Sequence, residues 1–276
     1  MLEHGVPFRL SPLVQRLVAP NPGIMTGPGT NTYLIGHREL AVLDPGPDIP
    51  EHIDAILAAG DGRIRWIVCT HTHPDHSPAW RGVAEQTGAQ VVGALPADDR
   101  FQDDTFAPDW EITHDEVLAT DEFRLRGLHT PGHVSNHFCY LLEEEGMVFA
   151  GDHIMNGSTV VIVPPGGDMK AYIDSLQLLL DYPVRTVAPG HGELIDDCRG
   201  EVEHLVKHRL AREAKVVNGL EQLGPSNLDD LVKVVYDDVD EARHEWAKLS
   251  MTAHLIKLAD EGRASNSAET GTWTLT

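Results

Sequence analysis

Six residues, His71-Thr72-His73-Pro74-Asp75-His76, carry three imidazoles and a carboxylate soon after the apolar run Trp66-Ile67-Val68-Cys69. The run predicts a buried strand, so the polar cluster falls where a strand's C-terminal end opens into a loop. His71 and His73 are two residues apart, and an extended backbone points them to one side. Pro74 disfavours helix at His73 and helps to break the strand. Asp75 and His76 then enter the first turn of an expected helix and face a second point in space. Two pairs of ligand-type side chains predict two adjacent cations. Imidazole and carboxylate together suit zinc best, with iron and manganese left open.

Further candidates share one trait: each ends a strand beside small residues. His133 follows Thr130-Pro131-Gly132, Asp152 follows Gly151, and His191 lies between Gly190 and Gly192. Glycine allows the unusual turns and close backbone approach that such a site requires. The expected set is therefore His71, His73 and His133 on one cation and Asp75, His76 and His191 on the other, with Asp152 as a bridge. Of the 16 histidines in the chain, His137 and His153 adjoin proposed ligands and are candidates for supporting or substrate contacts. Asp44 ends the neighbouring strand and is expected to accept a hydrogen bond from a ligand imidazole and fix its tautomer. Ser158 and Thr159 follow a ligand loop and are candidate substrate contacts.

The pattern along the chain is a run of strands with a helix or two, given twice. Strands are expected over 13–19, 30–36, 39–44, 90–93, 122–128, 137–142, 147–150, 159–163 and 184–188. Helices are expected over 77–87 and 169–182, with another opened by a capping Asp48 and stopped by Gly60. This arrangement predicts two sheets packed together with helices outside. Residues 94–114 are acidic, with Phe101, Phe106 and Trp110, and read either as a lid or as an ordered surface insertion. After residue 193 the text becomes charged and helical. Helices over 201–223, 226–236 and 240–261, then a hairpin over 263–275, give a winged-helix-like outline. Residues 1–198 are expected as the catalytic domain and 199–276 as this helical appendage, which suits packing or homo-oligomer formation better than DNA reading.

The formal charge is −22, with 21 Lys and Arg against 43 Asp and Glu, which opposes general attraction to nucleic acid or anionic membrane. Three cysteines, Cys69, Cys139 and Cys198, form no C-x-x-C pair, so neither a disulfide framework nor a thiolate zinc site is expected. No signal peptide and no apolar run of membrane-spanning length are visible, so a cytoplasmic chain without membrane partners is the expectation.

The ordered set His71-Thr-His73-Pro-Asp75-His76, His133, Asp152, His191 resembles the metallo-β-lactamase superfamily. Thr130-Pro131-Gly132-His133, Gly151-Asp152, Gly157-Ser158-Thr159, Pro189-Gly190-His191-Gly192 and the helical tail look like its β-lactamase-like protein 2 group, which carries a C-terminal winged-helix-like domain. The resemblance implies an α/β (α+β) fold, a four-layer αββα metallo-β-lactamase sandwich, with the dinuclear site at one edge of the sheets. It also implies a hydrolase with two zinc ions and a bridging hydroxide, and Asp75 orienting that hydroxide or collecting its proton. A small ester, thioester, lactone or lactam is the expected substrate. Single-stranded RNA cleavage is the alternative, since one member of that group is such an endonuclease. β-Lactamase activity, as main or side function, is a second alternative, although true β-lactamases of the superfamily lack the bridging acid. A non-catalytic module stapled by metal is the remaining rival.

Overall fold

The computed structural model describes residues 2–96 and 101–276, so four residues of the 94–114 stretch lie outside the described residues. The sheets form because their strands are apolar on both faces. In β3 (Asn31–Ile35), Tyr33 and Ile35 point to one apolar cluster and Leu34 to another. In β11 (Met147–Gly151), Met147 and Phe149 alternate in the same way with Val148 and Ala150. Period-two alternation thus feeds two apolar layers at once. Each such side chain contributes roughly 1.5–3 kcal/mol on full burial.

The first sheet runs β1 (Phe8–Arg9), β2 (Val14–Val18), β3, β4 (Leu40–Leu43), β5 (Ile64–Val68), β6 (Gln90–Gly93), β7 (Trp110–Glu111), in chain order. Pairing is antiparallel as far as β4 and parallel from β4 to β7. The second sheet has the order β12-β11-β10-β9-β8, from β8 (Val117–Ala119), β9 (Arg124–His129), β10 (Phe138–Leu142), β11 and β12 (Thr186–Pro189). Here β11 and β12 are parallel and the other neighbours antiparallel. Tyr33 meets Phe149 across the gap between the sheets, with ring centroids 4.9 Å apart. Helices α1 (Pro50–Gly60) and α2 (Trp80–Thr87) cover the first sheet through Ile53, Ile56 and Val83. Helix α3 (Met169–Leu178) and the start of α4 (Cys198–Leu223) cover the second through Tyr172, Leu176, Val202 and Leu205. The expected four layers are therefore present.

The remainder of α4 joins α5 (Leu228–Val235), α6 (His244–Asp260), β13 (Ala264–Ser267) and β14 (Thr272–Leu275) around a separate apolar cluster that includes Val216, Leu231, Met251 and Trp273. These three helices and the hairpin have the winged-helix outline read from the sequence. Among the described residues, no helix is long and apolar enough to cross a membrane.

Several local expectations are corrected. Asp48 does not cap α1: Ile49 is the N-cap without a side-chain bond, and Pro50 opens the helix by its fixed φ. Asp61, not Gly60, takes the left-handed turn that ends it. Helix α2 begins at Trp80 rather than near Ser77, because Pro78 disfavours helix at the residue before it. Residues 159–163 form no strand, and α5 begins at Leu228 rather than at Ser226, capped by Asn227, which accepts from Asp230 N. Short strands β1, β7 and β8 escaped the pattern because two or three residues show no period. The described part of the 94–114 stretch is anchored: Phe106 is buried, Asp103 N donates to Thr72 O, and Ser77 Oγ donates to Asp103 Oδ2 at 3.1 Å.

Two buried histidines away from the proposed ligands set an acid limit. Burial, aided by His4, lowers His52 to about 4, and burial, aided by Arg209 and Lys257, lowers His254 to about 3. In the unfolded chain both take up a proton near 6.5. Their contribution to stability is thus complete above pH 6.5 and is lost as pH falls toward 3. His254→Leu is expected to reduce the loss of stability between pH 6 and 4 by about 1 kcal/mol per pH unit. Urea unfolding of wild type and variant at pH 7, 6, 5 and 4 measures the slope; parallel slopes contradict the expectation.

Candidate metal centre

Every strand that leads to the cluster delivers its side chain at the same edge of the sandwich. The loop after β5 brings His71, His73, Asp75 and His76; that after β9 brings His133; Asp152 directly follows β11, and β12 leads to His191. Backbone bonds tie these ends together: Asp44 N to Val68 O, Phe138 N to Thr70 O, Gly190 N to Gly151 O and Asn31 N to Gly190 O. Two glycines are sterically required. A Cβ on Gly190 would lie 2.7 Å from His76 Cε1 and 2.9 Å from Asp152 Oδ1. Gly151 has φ +47°, and a Cβ there would press on Thr70 and on His137 Nε2.

The seven side chains form two groups that share Asp152: His71, His73, His133 and Asp152, then Asp75, His76, Asp152 and His191. Within each group one donor atom per residue lies within 4.8 Å of all the others. Asp152 Oδ1 is 3.3 Å from both His76 Nε2 and His191 Nε2, and its Oδ2 is 3.8 Å from His133 Nε2. His133 Nε2 and His73 Nδ1 are 3.0 Å apart, and Asp75 Oδ2 is 3.2 Å from His191 Nε2.

The outer nitrogens of four imidazoles are already engaged, which turns the inner ones toward the cluster. His76 Nδ1–H donates to Asp44 Oδ2 at 2.9 Å, and His133 Nδ1–H to Val161 O at 3.1 Å. His191 Nδ1 faces Gly29 O at 3.3 Å. The Thr70 hydroxyl donates to Asp44 Oδ2 and accepts from His71 Nδ1. With Nδ1 protonated, the neutral form of each imidazole carries its lone pair on Nε2. His71 Nε2, His76 Nε2, His191 Nε2 and Asp152 Oδ1 are buried and have no hydrogen-bond partner among the described residues. Buried polar atoms are costly unless something satisfies them. Convergent imidazole lone pairs and carboxylates form a donor set that fits divalent cations.

Electrostatics splits the groups. Burial lowers His71 well below its ordinary value, reinforced by His76 and His73; burial with His133 lowers His73 to about 4. These imidazoles are neutral at pH 7. Burial opposes charge on His76 and His191, yet Asp75, Asp152 and Asp44 outweigh it for His76, and Asp152 and Asp75 push His191 up to about 9. Burial also opposes ionisation of Asp152, but His191 and His76 hold it well below the carboxylate range. Without a cation, protons on the second group balance the carboxylates. A bound cation would replace those protons, so binding is expected to release them.

Asp44, His137 and His153 are also placed at the cluster's rear. Asp44 accepts from Thr70 N, Thr70 Oγ1 and His76. His137 Nδ1 faces Thr130 Oγ1, and its ring centroid is 5.1 Å from that of His71. His153 is fully buried, its ring against His137 and Tyr172. Both therefore line the interior and not a solvent-facing surface. Ser158 is exposed in a turn bridged to Met155, with Thr159 beside it half-buried. Thr70 escaped the sequence reading although it directly precedes His71; only the fold shows that its hydroxyl joins two histidines through one carboxylate.

Residues 25–191 match the family model described as the metallo-beta-lactamase superfamily, and residues 228–273 match that of the beta-lactamase associated winged helix domain. A beta-lactamase-like protein 2 homolog of Drosophila melanogaster is 33% identical over 285 residues, covering 95% of this chain and 93% of the relative. An atrochrysone carboxyl ACP thioesterase of Aspergillus chevalieri is 32% identical over 276 residues, covering 93% and 84%. The crystal structure of a metallo-beta-lactamase family protein from Thermus thermophilus has a TM-score of 0.77 at 23% identity, covering 97% of this chain and all of that one.

Proposed function

Because the chain belongs to the metallo-β-lactamase superfamily of hydrolases, we propose that it is a dinuclear zinc hydrolase of a small ester, thioester, lactone or lactam. The observation that carries this reading is the set of four buried atoms on His71, His76, Asp152 and His191, without a hydrogen-bond partner among the described residues, that gather in one space. His71, His73 and His133 would hold one cation, Asp75, His76 and His191 the other, and Asp152 both. Such ions supply a hydroxide nucleophile at neutral pH and polarise the oxygen under attack. Iron or manganese would fit the same donors with less preference.

The chain's own groups do the rest. Asp75 is the one carboxylate in the second group besides Asp152, and its Oδ2 lies between His76 Nε2 and His191 Nε2, at 3.5 and 3.2 Å. It can orient a nucleophile and take up its proton. Phe101 stands beside His73, ring centroids 6.5 Å apart, and is 56% exposed. An apolar surface next to the reacting position suits an acyl or aromatic group. Thioesters come first among the classes to test, a choice that the similarity to a named thioesterase supports. The charge of −22 leaves single-stranded RNA second, because long RNA requires a cationic track.

The test is metal analysis of the purified protein together with a hydrolysis screen of thioesters, lactones, β-lactams and labelled single-stranded RNA. About two zinc ions per chain and turnover of an acyl substrate are expected. RNA cleavage lost in His73→Ala would reverse the order. One fully protein-ligated tetrahedral ion with no turnover would overturn the proposal.

A further inference from the structure

Residues 159–163 lie next to the cluster yet form no strand, so their backbone groups need partners elsewhere. Val160 and Ile162 bury their side chains under α3 and α4. Three consecutive residues then send one backbone group each in a different direction. Val160 O accepts from Arg209 Nη2 of α4 at 2.6 Å. Ile162 N donates to Ser250 Oγ of α6 at 3.4 Å. Between them, Val161 O accepts from His133 Nδ1. Arg209 is 3% exposed, and its guanidinium lies over the ring of Tyr172, 5.1 Å from the centroid. Tyr172 in turn donates to His153 O at 3.0 Å.

We propose that Arg209 is a positioning residue for the candidate metal centre: by clamping Val160 it fixes the Val161 carbonyl, which holds His133 with Nε2 turned toward the cation. The proposal rests on the metal reading above and deepens it. It makes the C-terminal helices a working part of the site, because the clamp comes from α4 and α6 and the imidazole it orients comes from the loop after β9. A carbonyl that receives the outer N–H of a ligating imidazole sets both its tautomer and its ring angle. Loss of the clamp loosens that carbonyl and should be felt by His71, His73 and His133, not by Asp75, His76 and His191.

The test compares Arg209→Met, which keeps the apolar stem but no donor, with Leu231→Ala, which opens the apolar cluster of the winged helix away from the 159–163 segment. Zinc affinities are measured by chelator competition, metal content by emission spectroscopy, and the cobalt-substituted visible spectrum reports ligand geometry. In Arg209→Met one of two ions is expected to bind about tenfold more weakly or worse, with the other unchanged. Leu231→Ala should lower the melting temperature while both affinities stay at wild-type values. Arg209→Lys, which keeps one donor to Val160, should restore part of the loss, and it replaces the Met variant if that one does not fold. Wild-type affinities in the Arg209 variants, or equal metal loss in Leu231→Ala, would overturn the inference and leave the hydrolase reading intact. A wild-type protein that binds no metal would overturn both.

Discussion

Asp152→Ala is expected to lower hydrolysis by about a thousandfold or more and to reduce bound metal from about two ions per chain to one or none. The size follows from the position of one carboxylate in two groups: Oδ1 is 3.3 Å from the His76 and His191 nitrogens, and Oδ2 faces His133. Each polarising ion would lower the barrier by several kcal/mol, and about 4 kcal/mol corresponds to a factor near a thousand. The substitution also removes the charge that does most to raise His191, so fewer protons are released when the variant meets zinc. Emission spectroscopy, turnover of the best acyl substrate and proton release at constant pH measure the three effects. Unchanged metal content with unchanged turnover would exclude a shared carboxylate. Asp152→Asn keeps the shape without the charge. It should behave like the alanine variant, because the role is electrostatic and not steric.

The sandwich was legible because its strands are long runs of apolar residues that end at histidine or aspartate beside glycine. Such runs report burial on two faces, and the breaks report the edge of a sheet. The winged helix was legible from caps and helical period, although its first helix begins in the core of the sandwich at Cys198 and ends in its own cluster at Leu220. What escaped is what depends on contact between distant segments. The apolar, β-branched run at 159–163 has the local character of a strand, but Arg209 and Ser250 claim its backbone groups before any strand can. Asp48 has the spacing of a cap, but Pro50 fixes the helix start without it. Thr70 shows nothing in one dimension; its role exists only because β4 and β5 lie side by side and set Asp44 against it.

Asp44→Asn is expected to separate folding from metal retention, because the two depend on different protons. Asp44 is buried at φ +49°, a backbone setting that asparagine shares with aspartate. Its Oδ1 accepts from Thr70 N at 2.7 Å, and its Oδ2 from Thr70 Oγ1 at 2.8 Å and His76 Nδ1 at 2.9 Å. Alanine leaves all three donors unsatisfied and should cost about 4 kcal/mol, near the upper end for a single substitution. Asparagine offers one acceptor oxygen and one NH2. Turned toward His76, the oxygen would set NH2 against the Thr70 N–H, which cannot give up its proton. Turned toward Thr70 N, it sets NH2 against His76 Nδ1, and an imidazole can move its proton to the other nitrogen. The second arrangement is therefore favoured, and it places a proton on Nε2, the atom 3.3 Å from Asp152. Asp44→Asn should keep most of the stability in urea unfolding while the Asp75, His76 and His191 group binds zinc about 10–100-fold more weakly. Wild-type zinc affinity in a folded Asp44→Asn variant would mean that His76 does not depend on Asp44 for its tautomer.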